Sequence, residues 1–264
     1  MTSRVLKLLV ADADWNTHLV FHEYAERSGT KVELASVVSG RRCLEALTDD
    51  PPDIAFIAAA LPDMTGLEAI GYAHSQGKRC LTAILTGAPS ETLLDVIRRL
   101  GVYECLLKPI SISDVERMIE VWNRLKQPIR ALVVDRSPAL RQIARRILED
   151  GVFPIEIEEA VDEISAIAAC KARRFDLVFV DCTPPWPYGL DVLEAFGVRW
   201  PEIRVIMLSG GDDPAKARQA REAGAYGFLT KPFFAADIDR EMHRAFGFPL
   251  PMPLKPALHP AASD

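Results

Sequence analysis

Four polar residues in the second half of the chain each end a short apolar run. In order along the chain they are Asp135, Asp181, Ser209 and Lys231. If the runs are neighbouring parallel strands, two carboxylates, a hydroxyl and an ammonium group meet at one edge of a sheet, where such sheets bind ligands. The ammonium group would balance the negative charge, and Gly210 would leave room for a group larger than a side chain.

The elements that would position these residues are apolar runs separated by longer amphipathic segments. The runs cover residues 5–10, 32–37, 54–58, 81–85 and 104–107, then 131–134, 154–157, 177–180, 205–208 and 227–229. Most of them do not alternate, which is typical of strands buried on both faces. Helix-start signals lie between them, namely Ser137-Pro138, Asp213-Pro214 and a capping box Ser113-x-x-Glu116. Five strand–helix units per half predict a parallel sheet covered by helices on both faces.

The two halves repeat each other at an offset of 123 residues. Asp12 recurs as Asp135, and Lys108-Pro109 recurs as Lys231-Pro232. In this register Ala58 corresponds to Asp181, so one copy has a methyl group where the other has a carboxylate. The halves are therefore predicted to share a fold and to differ in their chemistry.

The polar set in its order, with Pro185 and Gly189 four and eight residues beyond Asp181, resembles the receiver domain of two-component response regulators (CheY-like), typical of bacterial signalling. The resemblance covers residues ~4–126 and ~129–247. It implies two flavodoxin-like (βα)5 domains with doubly wound parallel sheets in tandem. The predicted bounds are 1–127 and 128–247, followed by a proline-rich tail, 248–264, that is extended or disordered and solvated. The alternative is a flavodoxin-like domain with incidental acids.

The resemblance also implies roles for single residues. Asp181 matches the phosphoacceptor, whose carboxylate attacks a phosphohistidine. Lys231 matches the lysine that pairs with this carboxylate and then with the phosphoryl group. Ser209 matches the hydroxyl that binds a phosphoryl oxygen, and Phe228 matches the aromatic switch residue that moves inward with it. Phosphoryl transfer needs an in-line nucleophile and neutralised equatorial oxygens, and these side chains would provide both.

The magnesium site implied by the resemblance departs from the family pattern. Asp135, Asp181 and the main-chain carbonyl of Thr183 match metal ligands, but Arg136 stands where the family has a second acid. Because Mg²⁺ is held by few carboxylates, this loss predicts weak or absent binding. Arg136 could place its guanidinium where the metal would sit, or it could point to solvent.

The first half departs further from the pattern. Ala58 cannot accept a phosphoryl group, Cys105 occupies the position of the aromatic switch, and Asp63 lies in the loop beyond Ala58. This half is therefore interpreted as a pseudo-receiver that serves as a binding or dimerisation module. A cryptic phosphorylation site is the alternative. His18 and His22, four residues apart, could form a metal pair, but no third ligand is evident and a solvated helix face is preferred.

The composition limits the possible partners and compartments. The 264 residues carry a net charge of −6, which gives no electrostatic footprint for nucleic acid or an anionic membrane. No signal peptide or bilayer-spanning run is present, and the five cysteines are interpreted as reduced thiols in a cytoplasmic protein.

These observations predict a stand-alone response regulator that signals by protein–protein contact. Its expected partners are a histidine kinase or a histidine phosphotransfer protein, a downstream protein target and, in one arrangement, a second copy in a homodimer. No enzyme activity is expected beyond self-phosphorylation and autodephosphorylation. The alternative is a phosphorylation-independent scaffold built of two pseudo-receivers.

Overall fold

The computed structural model describes residues 5–29, 31–149, 153–182, 190–211 and 213–255. The chain divides into two compact units. Unit 1 comprises Met1–Arg124 together with Pro251–Asp264, and unit 2 comprises Leu125–Leu250. The sequence-based boundaries placed the whole segment after residue 247 outside both domains. In the structure, the described part of the tail from Pro251, residues 251–255, belongs to unit 1.

Each unit is a five-stranded parallel sheet with a helix after every strand. Unit 1 contains β1 Leu6–Ala11, α1 Trp15–Arg27, β2 Val32–Val37, α2 Gly40–Asp49, β3 Ile54–Ala58, α3 Gly66–Ser75, β4 Leu81–Thr86, α4 Glu91–Leu100, β5 Glu104–Leu107 and α5 Ile112–Leu125. Unit 2 contains β6 Ile129–Val134, α6 Pro138–Glu149, β7 Ile155–Ala160, α7 Glu163–Ala172, β8 Leu177–Asp181, α8 Leu190–Arg199, β9 Arg204–Ser209, α9 Pro214–Glu222, β10 Gly227–Thr230 and α10 Ala235–Phe246. The doubly wound (βα)5 prediction is confirmed.

The strand order brings the polar residues together. The sheets run β2-β1-β3-β4-β5 and β7-β6-β8-β9-β10, so the first and third strands of each unit are neighbours. In unit 2, Val134 pairs with Val180, one residue before Asp135 and Asp181. All five residues of β8 are buried, as expected for a strand covered on both faces. The two carboxylates consequently end adjacent strands at the same edge of the sheet.

Two local predictions need correction. The capping box of α5 uses Ser111 and Asp114, not Ser113 and Glu116: the main-chain N–H of Ser111 donates to Asp114 Oδ2 (2.9 Å), and that of Asp114 donates to Ser111 Oγ (3.3 Å). β7 continues to Ala160, beyond the predicted end at residue 157. It pairs only with β6 at the edge of the sheet, and its exposed glutamates hide the strand pattern.

The predicted solvated tail is also wrong for its first part. Met252–Leu254 form a 3-10 turn in which Pro253 is buried, and Met252 packs against the core of unit 1. The predicted tail residues after 255 lie outside the described residues. Within the described ranges no helix is both long and apolar enough to cross a membrane.

Candidate functional site

The centre of the site in unit 2 is an ammonium group between two carboxylates. Lys231 Nζ donates to Asp181 Oδ1 at 2.8 Å and to Asp135 Oδ2 at 3.2 Å. Asp181 is 7% exposed and Asp135 is 5% exposed. Charges this buried are stable only when paired, so the lysine neutralises a pair of acids that would otherwise repel each other.

Asp135 is held from three further directions. Its Oδ1 accepts the main-chain N–H of Ser137 at 2.8 Å, and its own main-chain N–H donates to Ala160 O at 3.2 Å. Its carbonyl oxygen accepts Arg141 Nη1 at 2.7 Å. Arg141 also pairs with Glu159 on β7 at 2.9 Å, which holds the pKa of that carboxyl below its usual value. Asp135 is thus held by residues at the start of α6 as well as by its contact with β7.

Ser209 ends β9, next to the strand of Asp181, and Phe228 lies on β10 at the far edge of the sheet. Ser209 Oγ donates to Gly211 O at 3.0 Å, and the main-chain N–H of Lys231 donates to Ser209 O at 2.6 Å. The serine therefore links the end of β9 to the residue that carries the ammonium group. Phe228 is half-buried and packs against the core beneath α7 and α8.

Cys182 is a residue of this site that the sequence reasoning did not single out. It follows Asp181 directly, is 3% exposed, and its Sγ donates to Leu208 O at 3.0 Å. Burial, and then the charge of Asp181, raise the pKa of this thiol. Adjacency to Asp181 was the only available signal. The contact ties the end of β8 to β9 directly behind the carboxylate.

The two alternatives for Arg136 can now be placed in the structure. Arg136 is exposed, and its charge contributes to lowering the pKa of Asp162 at the start of α7, after the larger effect of the Ser165 main-chain hydrogen bond. Asp135 and Asp181 are oxygen donors of the kind that Mg²⁺ prefers, on adjacent strand ends. Thr183 lies outside the described residues. The acids thus fit a magnesium ion in part, without the carboxylate that Arg136 replaces.

The corresponding edge of unit 1 has a lysine and one acid. Lys108 Nζ forms an ion pair with Asp12 Oδ2, and the same oxygen accepts Thr17 Oγ1 at 2.9 Å. Ala58 is 1% exposed and adds no charge. Cys105 is fully buried in the core. The structure therefore brings Asp12 and Lys108 together as it does Asp135 and Lys231, but around a single carboxylate.

Two other residues of unit 1 have structural contacts. Asp63 accepts the main-chain N–H groups of Gly40 (2.5 Å) and Arg41 (3.1 Å), which lower its pKa and cap α2. His18 is fully buried, so the prediction of a solvated pair with His22 is wrong for this residue, which contacts the main chain of Asp12 instead. Across the described part of the chain, no group of three or more His, Cys, Asp or Glu could hold a metal ion.

Comparison with known proteins agrees with this geometry. The family model of the response regulator receiver domain matches residues 8–120 and again residues 131–243. The chain therefore belongs to the response regulator receiver family, with two such domains in tandem. The family comprises two-component response regulators, and receiver domains generally bind Mg²⁺ and contact histidine kinases or phosphotransfer proteins.

Individual relatives cover one domain or the fold of both. The chemotaxis protein CheY-3 of Vibrio cholerae is 29% identical over 126 residues, which is 46% of this chain and 95% of that protein. The nitrogen assimilation regulatory protein NtrX of Azorhizobium caulinodans is 35% identical over 109 residues, 39% of this chain and 23% of that protein. A solved structure of a two-component system response regulator/GGDEF domain protein, 21% identical, superposes with a TM-score of 0.64 over 92% of this chain and 98% of that one. This last likeness shows the fold alone.

Proposed function

We propose that this response regulator is phosphorylated on Asp181 of its second receiver domain and signals by protein–protein contact. The observation that supports this most directly is the Lys231 ammonium group 2.8 Å from the Asp181 carboxylate, at the edge of the sheet where Asp135 also ends. The donor is a histidine kinase or a histidine phosphotransfer protein. The first domain, with Ala58 in place of the acid, acts as a binding or dimerisation module.

The proposed step is a phosphoryl transfer from nitrogen to oxygen. An oxygen of the Asp181 carboxylate forms a bond to phosphorus while the N–P bond of the donor phosphohistidine breaks. The imidazole leaves with the electron pair of that bond and takes up one proton from solvent. Lys231 remains beside the new acyl phosphate and neutralises it, and Ser209 donates its hydroxyl to a phosphoryl oxygen, which are the electrostatic contributions such a transfer needs.

A magnesium ion, when bound, neutralises charge on the transferring oxygens. In this chain Asp135 and Asp181 would hold it, together with the main-chain carbonyl that the family resemblance assigns to Thr183. Arg136 brings a positive charge to the position of the missing acid, so binding is weaker than in a receiver with two adjacent acids. The guanidinium can also bind a phosphoryl oxygen directly, which would partly replace the ion.

The signal leaves through the face of α9, β10 and α10. Phe228 is half-buried on β10, which pairs with the strand that ends in Ser209. The family resemblance implies that the ring moves inward when the serine shifts toward a phosphoryl oxygen. Such coupling of a local charge to a bistable side chain is the general way in which a modification changes a distant surface. No catalysis beyond self-phosphorylation and autodephosphorylation is proposed, and the compartment proposed is the cytoplasm.

The test is the intact mass of the protein after incubation with acetyl phosphate and Mg²⁺. The unmodified chain should gain one phosphoryl group that is lost on treatment with hydroxylamine, as expected for an acyl phosphate. Asp181→Asn should gain none. The matched variant in the first domain, Asp12→Asn, should still gain one. A second adduct that disappears in the first-domain variant would overturn the pseudo-receiver interpretation.

A phosphorylation-independent scaffold is favoured by one observation, the guanidinium of Arg136 beside the site. In that case neither phosphodonor nor beryllofluoride should change the protein, and Asp181→Asn should bind the downstream partner as well as the unmodified chain does. Absence of an adduct, together with unchanged tryptophan fluorescence in beryllofluoride, would replace the phosphorylation proposal with this one.

A further inference from the structure

We propose that the surface of α4 and β5 in unit 1 is a binding site for a short proline-rich segment in a turn conformation, and that residues 251–255 of this chain occupy it. The proposal does not depend on phosphorylation. It rests on two charged side chains that bind the main chain of the segment and on an apolar surface that buries its side chains.

Glu104 on β5 and Arg98 on α4 bind the segment at successive residues. Glu104 Oε1 accepts the main-chain N–H of Met252 at 2.7 Å, and Arg98 Nε donates to Pro253 O at 2.7 Å. Glu104 therefore accepts a hydrogen bond from the segment, and Arg98 donates one to it. Because hydrogen bonds that involve an ionised group are about twice as strong as neutral ones, this pair fixes both the position and the direction of the segment.

Both charged groups are themselves held in place. Glu104 is 7% exposed and its Oε1 also accepts the main-chain N–H of Cys105 at 2.8 Å. Arg98 Nη1 pairs with Asp95, one turn earlier on α4, at 2.6 Å. A buried carboxylate without hydrogen-bond partners destabilises the fold. The main-chain N–H of Met252 supplies one such partner to Glu104 on β5.

Every main-chain N–H group of residues 251–255 is hydrogen-bonded. The two prolines of this segment have no N–H group, and the remaining amides belong to Met252, Leu254 and Lys255. The first donates to Glu104, the second to Pro251 O (3.0 Å), and the third to Met252 O (3.1 Å). Pro251 and Pro253 are buried, and Met252 packs against the core of unit 1. Proline reduces the entropy lost on docking, since its backbone is already restricted.

Unit 2 lacks this site, although it has the same fold. The residue that corresponds to Glu104 is Gly227, and the space above it holds the carboxylate of Glu241 from α10. A Cβ placed on Gly227 would lie 2.7 Å from Glu241 Oε2. Glu241 is bound by Arg244 of its own helix at 2.6 Å. The carboxylate that accepts the Met252 N–H in unit 1 therefore has no equivalent on β10 of unit 2.

Because its own segment fills the site, the surface of α4 and β5 is closed to other proline-rich partners until the segment leaves. The first test uses a fluorescent peptide of residues 249–255 and fluorescence anisotropy. The peptide should bind a chain that lacks residues 251–264 at least roughly tenfold more tightly than it binds the full chain, whose site is occupied. In the truncated chain Glu104→Ala should abolish binding. Glu116→Ala, which alters an exposed carboxylate on α5, should leave it unchanged.

Three results would overturn the proposal. The truncated chain could keep its native circular dichroism and fail to bind the peptide, or it could bind no better than the full chain. The full chain could also be a dimer that becomes a monomer on truncation, which would place the segment on a second copy.

A second test needs no truncation. Met252→Pro deletes the N–H that Glu104 accepts, and Met252→Ala keeps it. The substitution suits the backbone, because Pro251 has φ −66° and ψ 152°, the conformation preferred before proline. Hydrogen exchange of the Leu254 and Lys255 amides in the full chain should accelerate roughly tenfold or more in Met252→Pro relative to Met252→Ala. Equal exchange in the two variants would contradict a docked segment.

Discussion

His18 and Arg141 occupy equivalent positions in the two units and make the same contact with different chemistry. His18 Nε2 lies 2.8 Å from the carbonyl oxygen of Asp12, and Arg141 Nη1 donates to the carbonyl oxygen of Asp135 at 2.7 Å. Arg141 has a second partner in Glu159. His18 Nδ1 is buried, and within the described structure it has no hydrogen-bond partner. The same main-chain oxygen is therefore bound by a charged network in one unit and by a single imidazole in the other.

Arg141→Leu should destabilise unit 2 by about 2 kcal/mol at pH 7, the usual range for hydrogen bonds to a charged group. The loss should depend on pH. Arg141 holds the pKa of Glu159 below the ordinary value of about 4.5 for a glutamate, so this stabilisation is present above that pH and is lost as the pH falls through the lower folded pKa. Urea unfolding at pH 7 and pH 3 measures both effects.

The matched variant is His18→Leu, which removes one contact and also one unsatisfied buried nitrogen. Its effect on the free energy of unfolding should stay within about 1 kcal/mol. The loss of one hydrogen bond is offset because the variant no longer buries an imidazole nitrogen without a partner. If His18→Leu lowered the free energy of unfolding more than Arg141→Leu does, the charged contact in unit 2 would not be the stronger of the two.

Lys231→Met should cost roughly 3 kcal/mol, because it leaves two buried carboxylates adjacent and without their cation. Lys108→Met in unit 1 should cost less, since it leaves one carboxylate that Thr17 still binds. Urea unfolding of both variants gives the comparison. Adding Asp135→Asn to Lys231→Met should recover part of the loss, and failure to recover would argue against charge repulsion as the cause.

Arg136→Asp should lower the Mg²⁺ concentration that half-saturates phosphoryl adduct formation by roughly tenfold, because it restores an oxygen ligand beside Asp135. The readout is the initial rate of adduct formation from acetyl phosphate, with Mg²⁺ titrated. Arg136→Ala separates the two contributions, since it removes the guanidinium and adds no ligand. If Arg136→Ala forms adduct faster than the unmodified chain at every Mg²⁺ concentration, the arginine does not assist phosphoryl transfer.

Glu104→Gln should stabilise unit 1 at neutral pH. Burial raises the pKa of Glu104 above the ordinary value of about 4.5 for a glutamate, although Met252, Cys105, Arg117 and Lys255 favour the charged form. The folded chain therefore holds a proton on Glu104 more readily than the unfolded chain does, so ionisation of this side chain lowers the stability of the fold. The contribution of the protonated acid is complete below about pH 4.5 and is lost as the pH rises through the folded pKa.

The difference between Glu104→Gln and the unmodified chain should accordingly vanish at acid pH and grow toward pH 7. Thermal unfolding across this range measures it, and the glutamine keeps an oxygen that can accept the Met252 N–H. Glu116→Gln is the control, because that carboxylate is exposed on α5. A constant difference at all pH values would mean that packing, not ionisation, explains the change.

The cysteine thiols of the native protein should react slowly with iodoacetamide at pH 8. Burial raises the pKa of Cys43 to about 12 and those of Cys105 and Cys170 to about 11, and the thiolate is the reactive form. Cys80, which is less buried, should be alkylated first. Peptide mapping after timed alkylation identifies the order, and rapid labelling of Cys43 would contradict the packed core of unit 1.

Much of the fold could be predicted because its signals are local and periodic. Buried strands such as β3 and β8 appear as continuous apolar runs, and the acids that end them are fixed by chain order. The pairing of Lys231 with both Asp135 and Asp181 followed from that order. The far end of β7 was missed because an edge strand exposes one face and its glutamates interrupt the pattern.

Contacts between distant residues could not be predicted in this way. Glu104 precedes its partner Met252 by 148 positions, and nothing near either residue marks the other. The prolines around Met252 instead indicated a solvated segment. His18 was predicted on a solvated helix face because two histidines four residues apart are typical of such a face. In the structure His18 is buried, and it contacts the main-chain carbonyl of Asp12. Hydrogen bonds between buried polar groups far apart in the sequence depend on the tertiary structure, and local sequence patterns do not predict them.

The return of residues 251–255 to unit 1 also has a consequence for biosynthesis. Glu104 leaves the ribosome well before Met252, and at roughly 5–20 residues per second the interval of 148 residues lasts about 7 to 30 s. During this time unit 1 has its whole sheet but lacks the segment that covers α4 and β5. A nascent chain therefore exposes a surface that the finished protein covers, and during translation a proline-rich partner or chaperone would reach it without displacing the segment.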